Sequence, residues 1–199
     1  MDIGQGAGLA TASGVRPLVP PVVAGVLARA DAGTDFSHTG WSWMESWVWI
    51  VALVVLLVAG WALDRGSVGS RQPVVGRPRP ESNLGYGLLS AAMGALTFAA
   101  SLAGGGETAW PGIVAGAVLG FVGYLAVARL FMRATQRLNA AGDPGALLGI
   151  ARDVLTIGAS VLVVFVGVLG YVAVLAALAL LALGRGRGEE KYAGLRILR

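Results

Sequence analysis

Ser13-Gly-Val-Arg-Pro-Leu-Val-Pro-Pro21 is the stretch on which the reading of this chain turns. It interrupts an otherwise apolar run from Ile3 to Ala28 with one charge and three prolines. Proline lacks the amide N–H and clashes with the preceding turn, so it is comfortable only at a helix start. Pro20-Pro21 therefore reads as a second start. The run is predicted to form two half-helices, Gly4–Ser13 and Pro20–Ala30, as one discontinuous membrane segment broken at Arg16-Pro17. Arg16 then lies near the centre of that segment. On insertion scales an arginine there costs roughly 2.5–3.5 kcal/mol.

The rest of the chain supports a membrane setting. Mean hydropathy is +0.73 and 13% of residues are charged, which leaves no soluble domain of useful size. Four uncharged apolar runs approach bilayer length: Ser46–Leu63, Leu84–Gly106, Thr108–Ala128 and Val154–Gly184. About 20 apolar residues cross a hydrocarbon core of about 30 Å. A signal-peptide reading of the first thirty residues has Pro17–Leu27 as its apolar core and Ala28-Arg-Ala30 as its cleavage site. It fails on the acid at Asp2 and on the interrupting prolines.

Composition removes several chemistries. There is no cysteine, hence no disulfide, thiolate metal site or cysteine nucleophile. His38 is the sole histidine, so no metal or other cofactor is expected. Net charge is +4, and fourteen of the fifteen basic residues are arginine. No basic face with interleaved aromatics appears, so nucleic acid is not an expected partner.

Between the runs, Asp31–Glu45 is a polar loop holding Asp31, Asp35 and Glu45. Trp41, Trp43, Trp47 and Trp49 cluster at the entry of the next span and Trp61 lies near its exit, an aromatic belt. The loop from Asp64 to Asn83 carries Arg65, Arg71, Arg77 and Arg79 and is kept extended by three prolines. Gly87, Ala91, Ala95 and Ala99 recur at every fourth position of the third span. Gly112, Gly116 and Gly120 form a doubled G-x-x-x-G face in the fourth, a surface for close packing within the chain or between chains. Arg129, Arg133 and Arg137 follow on one helix face, placed to anchor at the interface.

The last run, Val154–Leu183, would be roughly 45 Å long as one helix at 1.5 Å per residue. Gly167-Val-Leu-Gly170 near its centre predicts two short helices instead, with a single tilted helix as the rival. The expected architecture is all-α, a polytopic helical bundle of about six short spans. Residues 1–184 form one transmembrane domain and 185–199 a cytoplasmic tail. Six crossings place both termini in the cytoplasm of a cell-membrane protein. Thirteen of the fifteen basic residues then face inward.

The break supplies the candidate chemistry. Unpaired backbone at membrane depth must be buried in protein or line a cavity. The second half-helix would aim its positive dipole end at the same place. Arg16, Thr11, Ser13, Gly14 and Pro17 together make a candidate site for a carboxylate, a phosphate or an anionic lipid headgroup. Two other roles for Arg16 stay open: an internal ion pair with Asp64, Asp153 or Glu107, or snorkelling to an interface. Asp153 also reads as a helix cap.

Ala-Ser-Gly-Val-Arg-Pro-Leu-Val-Pro at 12–20, Asp64-Arg65, Arg129, Arg133, Arg137, Asn139 and Asp153 form a wider pattern. In these pieces the chain resembles the multi-pass membrane family catalogued as domain of unknown function 4126. The resemblance implies a membrane protein of unassigned activity, with Arg16, Pro17, Asp64 and Asp153 as its matching positions. The family typically carries an acidic pair where this chain has Arg152-Asp153.

The expected function is a small transporter or channel, a homodimer among membrane lipids, with its anion site at the break. The alternative is a non-transporting assembly subunit of a larger membrane complex. An enzyme is disfavoured because no paired carboxylate motif offers acid–base work. A reporter at the C-terminus is expected on the same side of the membrane as one in the 64–83 loop. Opposite sides would overturn the two-crossing reading of the last run.

Overall fold

The computed structural model describes residues 3–68, 84–140 and 146–186. These form seven α-helices and no strand: α1 (Ile3–Ser13), α2 (Val19–Arg29), α3 (Trp47–Val68), α4 (Leu84–Gly104), α5 (Ala109–Ala140), α6 (Ala146–Phe165) and α7 (Val168–Gly186). A short 3-10 turn at Ser42–Glu45 precedes α3. The α4 helix and the Ala109–Ala128 part of α5 are long and apolar enough to cross a membrane. The all-α architecture is as expected; a count of six spans is not established by helix length and composition.

Glycine puts α1 at the centre. Nearly every residue of this helix is buried, and it packs on α4, α5, α6 and α7. Its small residues make that possible. Gly4 abuts Gly167, Gly6 abuts Phe98 and Ser101, and Gly8 abuts Gly170 and Val163. Backbones approach this closely only where a Cβ is missing.

These neighbours also fix directions. Gly4 meets Gly167, Gly8 meets Val163, and Arg16 meets Asp153, so α6 runs antiparallel to α1. Gly33, just beyond α2, lies against Val164 and Phe165 at the far end of α6. Hence α2 runs back along α6, and α1 and α2 fold into an antiparallel hairpin with residues 14–18 at its tip. The expectation of one discontinuous crossing is corrected here. The helices do start and stop where the prolines and Arg16 predict, but the chain reverses at the break. Gly14, pressed on Gly123 and Tyr124, lets the backbone turn against α5. Pro20 and Pro21 then sit buried in the first turn of α2, where their missing N–H groups cost nothing.

The reversal alters the layout of the ends. The α7 helix starts beside Gly4, its Gly170 reaches Gly8, and Val174 packs on the cluster of Ala7, Ala10, Phe98 and Leu102, so it runs the same way as α1. Ile3 and Gly186 therefore lie at opposite ends of the bundle, not at the same end.

The glycine face of α5 is used inside the chain. Gly112 lies on Ala99, Gly116 on Gly94, and Gly120 on Ser90 and Ala91 of α4. Gly94, not Ala95, is the α4 residue that lies against Gly116. The last apolar run is split at Val166-Gly167, giving two helices and not one tilted rod. The Gln5 amide donates to the Val164 carbonyl at 2.6 Å, beside that split.

The Asp31–Glu45 loop is more ordered than its polar composition suggests. Phe36 and Met44 insert into a cluster with Leu9, Ala24, Ala28, Val163 and Val164. The Phe36 N–H donates to Glu45 Oε1 at 2.5 Å, and the Thr34 hydroxyl to the Ala24 carbonyl at 3.3 Å. Trp43 forms a tilted pair with Trp41 and an edge-to-face pair with Trp49, and the Arg29 guanidinium lies 4.8 Å from the Trp47 ring centre. Trp61 has its side chain outside the described residues. Val48, Val51, Val55, Leu56 and Val58 of α3 are all exposed, with Val48 at 81%. Soluble monomers rarely present an apolar strip of this kind to water.

Gly116→Ala is expected to destabilise the protein by about 1–3 kcal/mol, because the new methyl meets the Gly94 carbonyl. Gly158→Ala, with open space around it, is expected to be neutral or to gain up to about 1 kcal/mol from helix propensity. Thermal unfolding of the two variants in detergent checks the contrast.

Candidate functional site: the charged tip of the first hairpin

The tip is built by running out of donors. The N–H groups of Gly14 and Val15 reach the carbonyls of Thr11 and Ala12 at 3.0 and 2.9 Å. Pro17 has no N–H, and Val19 turns to the Arg16 carbonyl at 3.2 Å. The Val15 carbonyl is left to a side chain. Arg152 of α6 donates to it through Nε at 3.0 Å and also through Nη2. The same Nη2 reaches the Tyr86 hydroxyl at 3.2 Å. Arg152 is only 6% exposed.

The next residue on each strand of this contact pairs as well. Arg16 grips Asp153 with two parallel bonds, Nε to Oδ1 and Nη2 to Oδ2, the second at 3.1 Å. This fork is the strong form of an arginine–carboxylate bond. The two side chains are 16% and 26% exposed. Consecutive residues of α6 thus hold consecutive residues of the tip.

Depth in the bundle follows from the neighbours. Tyr86 is the third residue of α4, and Ala128 closes the apolar part of α5. The tip sits at that level, since Gly14, Tyr86, Tyr124, Val127, Ala128 and Arg152 share one crevice. Arg16 is therefore at one end of the apolar layer and not at its middle, which corrects the expected midplane position. Glu107, exposed in the α4–α5 turn, lies at the other end. The α4 helix alone separates the two levels by roughly 27 Å at 1.5 Å per residue. Asp64 lies on α3 with its side chain outside the described residues, as do the side chains of Arg129, Arg133 and Arg137 on α5.

The remaining residues of the predicted anion site are buried near the tip, with their polar groups turned inward. The Thr11 and Ser13 hydroxyls donate to the Ala7 and Leu9 carbonyls of their own helix at 2.8 and 3.0 Å. Pro17 is buried, and Gly14 is packed on α5. The crevice beside them encloses about 160 Å³ including its open mouth, and is too narrow for a water molecule. Among the described residues no group of three or more His, Cys, Asp or Glu side chains is placed to hold a metal.

Sequence reasoning missed Arg152, Tyr86 and Tyr124. The signal available was the adjacency of Arg152 to Asp153, since two charges opening an apolar segment need partners in the fold. Tyr86 and Tyr124, with ring centres 6.2 Å apart, carried no spacing signal.

Residues 3–71 match the model of a family described as "Domain of unknown function (DUF4126)". This is the family the sequence pattern resembles, and the match covers α1 to α3 with Arg16, Pro17 and Asp64. The second half of the tip, Arg152 and Asp153, lies beyond the matched residues. No curated protein and no solved structure matches the chain.

Removing one partner from a buried ion pair costs about 3–5 kcal/mol, and partial exposure reduces this to roughly 2–3 kcal/mol here. Arg16→Ala and Asp153→Ala are each expected to lose that much stability. The double variant Arg16→Met with Asp153→Leu is expected to recover most of it. Unfolding midpoints of the wild type and the three variants in detergent check the contrast.

Proposed function

We propose that this chain is a multi-span integral membrane protein of the cell membrane that acts as a structural or assembly subunit, not as a carrier. The observation behind this reading is the closure of the tip. Both oxygens of Asp153 are held by Arg16, and the crevice at the neighbouring Gly14 and Arg152 is narrower than a water molecule. On this reading Arg16 fixes the fold. The exposed apolar strip of α3 meets lipid and other membrane subunits, a second copy of the chain included.

The charge pattern supports an orientation. Arg65 and Arg129, Arg133 and Arg137 lie on helices beyond the apolar layer at the tip end. Asp31, Asp35, Glu45 and Glu107 lie at the other end. The arginine-rich end then faces the cytoplasm, together with the end of α7. The start of α1 faces the opposite side.

A second reading, transport of a small anion or an anionic headgroup, draws on one observation. The crevice has Arg152, the chain neighbour of Asp153, and Tyr86 among its walls. Transport requires the pair to part, which releases a guanidinium for the substrate. Reconstituted vesicles decide between the readings. With small anions and a fluorescent anionic lipid offered, the structural reading expects no flux from the wild type and recovery of membrane partners by cross-linking. Saturable flux that is lost in a folded Arg16→Gln variant would establish transport instead.

A further inference from the structure

We propose that Arg29 and Trp47, at the acid-rich end of the bundle, form a binding site for the phosphodiester group of a membrane phospholipid. Such a site presupposes the membrane-spanning reading above and serves an assembly subunit and a carrier alike.

Other helices fix the level of the site. The α3, α5 and α7 helices all start at this end, and each carries an exposed aromatic side chain in its first turn: Trp47, Trp110 and Tyr171. Trp43, just before α3, is exposed as well. Tryptophan and tyrosine collect where an apolar layer meets lipid headgroups. These rings mark that boundary, and Arg29, in the last turn of α2, lies against one of them.

Arg29 is held at this level without being neutralised. Its guanidinium lies on the Trp47 ring, and its Nη1 donates to the Glu45 carbonyl at 3.2 Å. Neither partner carries a charge. The acids of the loop are engaged elsewhere. Glu45 Oε1 accepts from the Phe36 N–H, and Asp35 Oδ1 accepts from the Ser37 N–H and hydroxyl. Among the described residues no carboxylate pairs with Arg29.

A guanidinium stacked on a ring keeps its edge for acceptors, and its fork of N–H donors matches two oxygens of a phosphate. Glu45 takes one donor and the others stay available. The charge also sits where basic residues are scarce. Among the described residues Arg29 is the one arginine or lysine at this end, while Arg16 and Arg152 lie at the tip. An arginine on the side away from the cytoplasm runs against the usual charge bias. A headgroup phosphate supplies the counter-charge that the protein does not.

Binding to the full chain in a phosphate-free maltoside detergent, read by tryptophan fluorescence, tests this. The probe is dihexanoylphosphatidylethanolamine, zwitterionic because the acids at this end disfavour added negative charge. Saturable binding is expected, weakened roughly tenfold in Arg29→Gln, the scale of one charge-assisted hydrogen bond. Arg29→Lys keeps the charge and loses the fork, and is expected to fall between the two. Phosphate-free dihexanoylglycerol and inorganic phosphate are each expected to bind roughly tenfold more weakly than the phospholipid, since each lacks one half of it. Unchanged affinity in Arg29→Gln, or equal binding of dihexanoylglycerol, would overturn the site. Equal binding of inorganic phosphate would overturn its assignment to a lipid. Quenching of tryptophan fluorescence by bilayers with brominated chains reports membrane insertion separately, so an inserted wild type that lacks this binding refutes the site alone. Arg29 is exposed, and the comparison of ligands on the wild type decides if a variant does not fold.

Discussion

Where a helix stops at the edge of an apolar bundle, its last carbonyls lack backbone donors, and a neighbouring helix must supply them. That constraint organises this structure. Among the described residues, two such stops are closed by a facing helix: residues 14–18 and Val166-Gly167. Beside each break stands a side chain from the opposing helix: Arg152 of α6 on the Val15 carbonyl, and Gln5 of α1 on the Val164 carbonyl. The two helices are thus each other's solvent. Burial of an arginine at the first break is tolerated because its charge is turned to a backbone acceptor and a phenol, and because the neighbouring arginine is matched by an acid.

Close approach is the second requirement, since a donor on one helix reaches a carbonyl on another only when the backbones nearly touch. Glycine supplies it on α1, on α5 and at the α6–α7 joint. Tight packing here is a means of hydrogen bonding as much as a source of dispersion energy. It also explains why α5 offers no glycine face to a second chain: α4 already occupies it.

What could be read in advance was what local chemistry dictates. Prolines and an arginine in an apolar run end a helix whatever surrounds it, so the limits of α1 and α2 were legible. The Gly167–Gly170 pair marked the split of the last run for the same reason. The direction taken after a break was not legible. A proline states that a helix stops, and only tertiary contacts such as Gly33 on Val164 state that the next one folds back. The site suffered accordingly. Arg16 was picked out by its charge, but its depth depended on that reversal, and Arg152 stood out only as the residue beside Asp153. Phe36 and Met44 were hidden by the polar residues around them.

One feature of the α1–α6 contact reaches beyond stability. Gln5 on α1 and Arg16, three residues past its end, are eleven residues apart, and Asp153 and Val164, the groups they meet, are eleven residues apart on α6. Each helix therefore gauges the length of its neighbour over roughly 16 Å. A residue inserted in either one would put the two contacts out of step by 1.5 Å and about 100° of rotation. Single insertions between these anchors are thus closed to the family of sequences that can adopt this fold, whereas compensating insertions in both helices are not. The pair behaves as two matched rulers, and the spacing between its marks is itself part of what the sequence encodes.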